Sequence, residues 1–209
     1  MARRTKEEAE ATRQQIMDNA LCLFSQQGVS RTSLADIASK AGVTRGAIYW
    51  HFSNKEELFC ALWQEFCGPM MQRIVATSDA SEPDPYGKMR LLLIEMLTLA
   101  AESPRHQQMF RILHSLLLPD AEDDALREML RVELRFYLAR LQEALDHAVA
   151  KAQLPQQLDT CRAAVFLQCT LDGFILNWLS RHESLKLPEQ AVALVDGLLL
   201  ALQHGACRL

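Results

Sequence analysis

A chain of 209 residues that is 49% hydrophobic and 23% charged has enough apolar side chain to bury one large core or two modest ones, which excludes a disordered polymer. No window reaches the roughly 18 uncharged apolar residues of a membrane span, and the opening MARRTKEEAEATR has no apolar run behind its charges, so no membrane partner is expected and a cytoplasmic location follows. The formal net charge of −4 is unevenly spread: residues 1–55 hold eight Lys/Arg against five acids, a net +3, leaving −7 beyond them, a basic head on an acidic body.

Helical period dominates throughout, and no run alternates apolar with polar residues between hairpin turns, so the fold is predicted all-α. Ile16, Ala20, Leu23 and Phe24 recur on one face of a first helix, and Gly28 follows as a left-handed cap. Ser33 with Asp36 has the spacing of a capping box, opening a second helix that buries Leu34, Ile37, Ala38 and Ala41 and stops at Gly42. Val43 and Thr44 complete a short turn before a third helix begins at Arg45-Gly46-Ala47-Ile48-Tyr49-Trp50. Two short helices joined through a glycine-containing turn form a helix-turn-helix.

Ser53 with Glu56 reads as a second capping box, starting a longer helix with Leu58, Phe59, Leu62, Trp63 and Phe66 on its apolar side, which Gly68-Pro69 should kink or end. The DASEPDP run at 79–85 reads as a linker. These signals divide the chain into a three-helix DNA-binding head over 1–55, a connecting helix over 54–78 and a larger helical body over 79–209. Within the body, helices are predicted near 86–103, 105–118, 123–152, 159–182 and 188–204, punctuated by Pro104, Pro119, Pro155 and Pro188. The last two are apolar around much of their circumference, so a homodimer through 159–182 and 188–204 is expected.

Catalysis has no visible seat. The chain lacks a P-loop, GxSxG, HExxH or dinucleotide glycine pattern, and its six histidines lack ligand spacing, so no catalytic residue, metal or cofactor is expected. Cys22, Cys60, Cys67, Cys161, Cys169 and Cys207 form no CxxC and most read as small core hydrophobes, although Cys60 and Cys67, seven apart, share a helix face as a redox pair would.

The block TSLADIASKAGVTRGAIYWHFSNKEELFCAL at 32–62, with the opening RRTKEEAEATRQQI, resembles the TetR family of transcriptional repressors and within it the AcrR-like branch of multidrug-efflux regulators. Beyond residue 63 only the stretch around Asp172-Gly173-Phe174 and Trp178 is similar. The chemistry of the recognition helix agrees: Thr44 and Arg45 stand at its amino end, where Arg45 can bridge guanine O6 and N7 and Thr44 can donate to phosphate or base. Tyr49 follows one turn on from Arg45, and Gly46 removes a side chain where backbone and duplex approach. The resemblance adds Trp50, His51 and Lys55 as phosphate contacts, Arg31 and Ser33 are placed to grip phosphate before the second helix, and Arg3, Arg4 and Lys6 read either as a solvated tail or as a minor-groove or backbone arm.

The same resemblance implies a body that encloses a small-molecule inducer, apolar and often cationic, and a dimer that reads a palindromic operator until the inducer swings the connecting helix and moves the two heads out of register. Candidate walls are Phe66, Met70, Met96, Phe110 and Phe136, with Leu92, Met109, Leu113, Phe166 and Phe174 beside them. Asp172 lies inside the apolar CTLDGFILNWL, where an acid is costly unless it meets a cationic ligand or makes a cap or interface hydrogen bond; Arg111, His114 and Asn177 are candidates of the same kind.

Overall fold

The computed structural model describes residues 6–118, 123–180 and 186–208. Among them lie ten helices: α1 Lys6–Gln27, α2 Leu34–Lys40, α3 Arg45–His51, α4 Lys55–Phe66, α5 Gly68–Thr77, α6 Pro85–Glu102, α7 Pro104–Leu117, α8 Asp124–Ala150, α9 Thr160–Ser180 and α10 Leu187–Gln203. The fold is all-α, and the one extended pairing among the described residues joins Leu158 to Arg208.

The chain forms two compact units. The first holds the residues up to Gly68 together with Gln108–Leu130; the second holds Pro69–Gln107 and Arg131–Leu209. In the first unit α1 lays Ile16, Met17, Ala20, Leu21 and Phe24 against Ile37 of α2, Ile48 of α3 and Leu58, Phe59 and Leu62 of α4. Met109, Ile112 and Leu116 of α7 and Leu126 and Leu130 of α8 enter the same core, so α7 and α8 each contribute to both units. A helix-turn-helix of this size buries only a small core by itself, and the borrowed side chains enlarge it. Sequence spacing holds no record of that loan, since the residues lie more than 40 positions beyond α4.

Local signals account for the head's helix ends. Gly28 and Gly42 take φ of +86° and +64°. Past α2 the Gly42 amide donates to the Ser39 carbonyl at 3.2 Å and the Val43 amide to the Ala38 carbonyl at 3.0 Å, the double closure of a left-handed C-cap. The cap of α4 falls one residue later than the box expected at Ser53 and Glu56. Asn54 is the cap, its side chain accepting from the Glu57 amide at 2.7 Å while the Glu57 carboxylate accepts from the Ser53 amide at 2.8 Å. Helix α4 ends at Cys67 and α5 restarts at Gly68, with Pro69 in a first turn where its missing N–H has no duty.

In the second unit α6 packs chiefly on α10 and also on α9. Met89, Leu93 and Leu97 of α6 meet a core shared with Leu167 and Leu171 of α9 and Val195 and Leu199 of α10. Arg90 forks onto Asp196 with bonds of 2.5 and 2.9 Å, joining α6 to α10. The stretch at 79–85 is folded into this unit rather than spanning a gap: Thr77 and Ser78 are buried, Asp79 accepts from the Ser81 amide at 2.8 Å, and Asp84 caps α6 while accepting from Gln153 at 2.7 Å. Its acids serve as local acceptors, which composition alone cannot distinguish from solvated linker acids.

By length and composition α9 is apolar enough to cross a membrane, although charged residues interrupt it, so it holds no run of 18 uncharged apolar residues, as the sequence reading has it. Its inner side, with Leu167, Leu171, Ile175 and Trp178, is buried, and it carries Arg162 and Asp172, the pattern of a core helix. The cysteines are not fully buried: Cys161 and Cys169 are exposed on α9 and the other four are half-buried, Cys67 packing against the core of the first unit.

Candidate nucleic-acid interface

Helix α3 divides its side chains sharply. Ile48 and the following Phe52 are buried, whereas Thr44, Arg45, Gly46, Tyr49 and Trp50 face outward, with Tyr49 48% and Trp50 72% exposed. Large aromatic surface left in water on so small a domain marks a contact face. The Arg45 guanidinium lies 5.7 Å from the Tyr49 ring centroid, so the two share one face of the helix. Thr44 caps α3, its hydroxyl accepting from the Ala47 amide at 3.1 Å, which leaves its O–H to donate elsewhere. A Cβ built on Gly46 meets nothing nearer than the Thr44 hydroxyl at 4.0 Å, so packing within the chain does not require glycine there.

The flanks hold these residues in place. Ser33 closes its box with Asp36: the Ser33 hydroxyl accepts from the Asp36 amide at 3.2 Å and donates to the carboxylate at 2.6 Å, and the Ser33 amide donates to that carboxylate at 3.0 Å. These Ser33 donors hold the Asp36 carboxyl below its ordinary range, and the Ser53 amide does the same for Glu57. Arg31 is exposed beside this box. His51 is half-buried, its ring edge-on to Trp50 at 4.5 Å. Arg13 of α1 lies over the Phe52 ring at 5.2 Å, a contact not foreseen from sequence because α1 carries no motif at that position.

Lys55 departs most from expectation. Its ammonium donates to the Val29 carbonyl at 3.2 Å and the Ser30 carbonyl at 3.5 Å, and lies 3.7 Å from the Asp123 carboxylate. It therefore ties the start of α4 to the turn between α1 and α2. Lys6 begins α1, and Arg3 and Arg4 lie outside the described residues.

The expected ligand residues divide between the units. Phe66 is buried in the core of the first unit; Phe110, Arg111 and His114 of α7 belong to the same unit outside that core, Phe110 half-buried and Arg111 and His114 exposed. Met70, Met96, Phe136, Asp172 and Asn177 belong to the second. There Met70 and Met96 are half-buried, Phe136 is 45% exposed with the Arg140 guanidinium 5.4 Å above its ring, and Asn177 is exposed, donating to the Gly173 carbonyl at 2.8 Å. Asp172 is half-buried and accepts from Gln168 at 2.8 Å. Burial, with the nearby Asp172 charge, pushes the Tyr137 phenol well above its ordinary range. Gln168 and Tyr137 were missed from sequence; the four-residue spacing of Gln168 to Asp172 was the available signal.

Comparison with known proteins agrees with this geometry. The family description "Bacterial regulatory proteins, tetR family" matches residues 16–62, and "MAATS-type transcriptional repressor, C-terminal region" matches residues 84–204. The HTH-type transcriptional regulator AcrR of Shigella flexneri is 38% identical over 91% of this chain and 89% of its own. TtgR of Pseudomonas putida, also an HTH-type transcriptional regulator, is 40% identical over 90% and 89%. Among solved structures, SmeT, the repressor of the Stenotrophomonas maltophilia multidrug efflux pump SmeDEF, superposes with TM-score 0.77 at 31% identity over 92% and 91%. Its triclosan complex gives 0.80 at 33% over 91% of both chains. The chain belongs to the TetR family of bacterial transcriptional regulators and carries the C-terminal region of its MAATS-type repressors.

Proposed function

We propose that the protein is a homodimeric, cytoplasmic repressor that binds a palindromic operator, controls a multidrug efflux pump operon and is released by apolar or cationic drug-like molecules. The observation that carries the DNA-binding half is the split of α3, with Ile48 inward and Thr44, Arg45, Tyr49 and Trp50 outward. Thr44, Arg45 and Tyr49 read base edges, Gly46 admits the duplex, and Arg31, Ser33, Trp50 and His51 hold phosphates. Lys55 buttresses that surface and adds its charge to it.

The efflux and inducer assignments draw on SmeT, described as a pump repressor and solved with triclosan. Within the second unit, Asp172 with Gln168 and Tyr137 supplies polar contacts for a cationic or hydrogen-bonding ligand, and Met70 and Met96 supply adaptable apolar ones. Dimerisation is supported by the exposed Val165 of α9 and Val192 and Leu200 of α10, which leave apolar surface uncovered on the two helices expected to pair. A gel shift on the DNA upstream of the protein's own reading frame and of any neighbouring pump operon tests the reading. One retarded, palindrome-dependent complex that triclosan or another pump substrate dissolves is the expected result. Operator affinity unchanged by saturating pump substrates would remove the induction half.

A further inference from the structure

Resting on the reading that the head binds duplex DNA, we propose that the Asp123 carboxylate is an internal rival of the DNA phosphate for the Lys55 ammonium and so sets how tightly the head holds any duplex. Lys55 opens α4, and its acceptors Val29 and Ser30 immediately precede the exposed Arg31, so its charge stands on the edge assigned to phosphate. On its other side lies Asp123, in the same compact unit. The Asp123 side chain is 10% exposed and that of Lys55 is 23% exposed, so solvent and salt screen the pair poorly while the ammonium stays reachable. One Asp123 oxygen accepts from the Leu126 amide at 3.4 Å in the first turn of α8 and the other faces Lys55.

The sign of the effect follows from charge. A phosphate approaching Lys55 meets an ammonium already partly neutralised by a fixed carboxylate that it must displace. Removing the carboxylate while keeping its acceptor oxygen therefore strengthens DNA binding, whereas a merely structural Asp123 would leave binding unchanged or weaken it. Asn serves this purpose, because its side-chain oxygen also accepts at the start of a helix.

The test uses the full chain and fluorescence anisotropy on a mixed-sequence duplex, titrated over a range of salt concentration. Asp123→Asn is expected to bind about three- to tenfold more tightly at low salt, with the plot of log affinity against log salt steeper by about one counterion. Asp123→Ser, which also keeps a capping oxygen, should reproduce the gain if the first variant folds poorly. In a Lys55→Gln background the gain should vanish, because the acid acts through that ammonium. Unchanged or weaker binding, an unchanged salt slope, or a gain that survives in Lys55→Gln would each overturn the proposal. Failure of the wild-type chain to bind any duplex would overturn the DNA-binding reading itself, and this proposal with it.

Discussion

Gly46 carries the sharpest residue-scale argument. Glycine inside a helix costs about 1 kcal/mol relative to alanine, and nothing within the chain crowds a methyl at this position. Gly46→Ala should therefore raise the thermal midpoint while lowering duplex affinity, because the proposed interface brings the backbone there close to the DNA. A variant that gains stability and keeps full affinity would remove Gly46 from the contact surface. Arg45→Ala should cost about 1–3 kcal/mol on the operator and far less on mixed-sequence DNA, since a bidentate guanidinium supplies base discrimination. Equal losses on both duplexes would move Arg45 from base readout to phosphate contact. Ala152, just past α8, has φ of +57°, its amide donating to the Val149 carbonyl and the Gln153 amide to the Ala148 carbonyl, a left-handed cap built without glycine. Ala152→Gly should stabilise the chain by about 0.5–1 kcal/mol by urea unfolding, the strain relieved exceeding the added chain entropy.

At the scale of elements, the head's short helices depend on their caps. Helices α2 and α3 have seven residues each, too short to hold without side chains that satisfy their first amides. Asp36 and Glu57 are held below their ordinary carboxyl range by the Ser33 donors and the Ser53 amide. A depressed folded value contributes stability that is fully present above the unfolded value of about 4 and is lost as pH falls through the folded one. Thermal midpoints followed from pH 6 down to pH 3 should drop less steeply for Asp36→Asn/Glu57→Gln than for the wild type; parallel curves would contradict the assignment. The first box was legible because Ser33 and Asp36 have no competing neighbour at that spacing. The second slipped by one residue because Ser53 and Asn54 are both good caps with an acid three positions on, and only the entry of the chain from Phe52 into α4 chooses between them.

At the scale of the whole molecule, the proposed dimer makes its own prediction. Gly197 lies on the exposed side of α10 near Val192 and Leu200, and a Cβ there meets nothing within 4 Å, so Gly197→Leu should fold normally and sediment as a monomer if the partner helix passes close by. An unchanged dimer would place the interface elsewhere. The sequence by itself determined the all-α class, the order and near-boundaries of the helices and the outward face of α3, because caps, period and glycine stops act over three or four residues. Tertiary structure alone decided that α7 and α8 complete the head's core, that the units divide after Gly68, and that Lys55 answers to Val29, Ser30 and Asp123. Those partners stand 26, 25 and 68 positions from Lys55, and periodicity records which face a residue occupies but not which distant segment covers it.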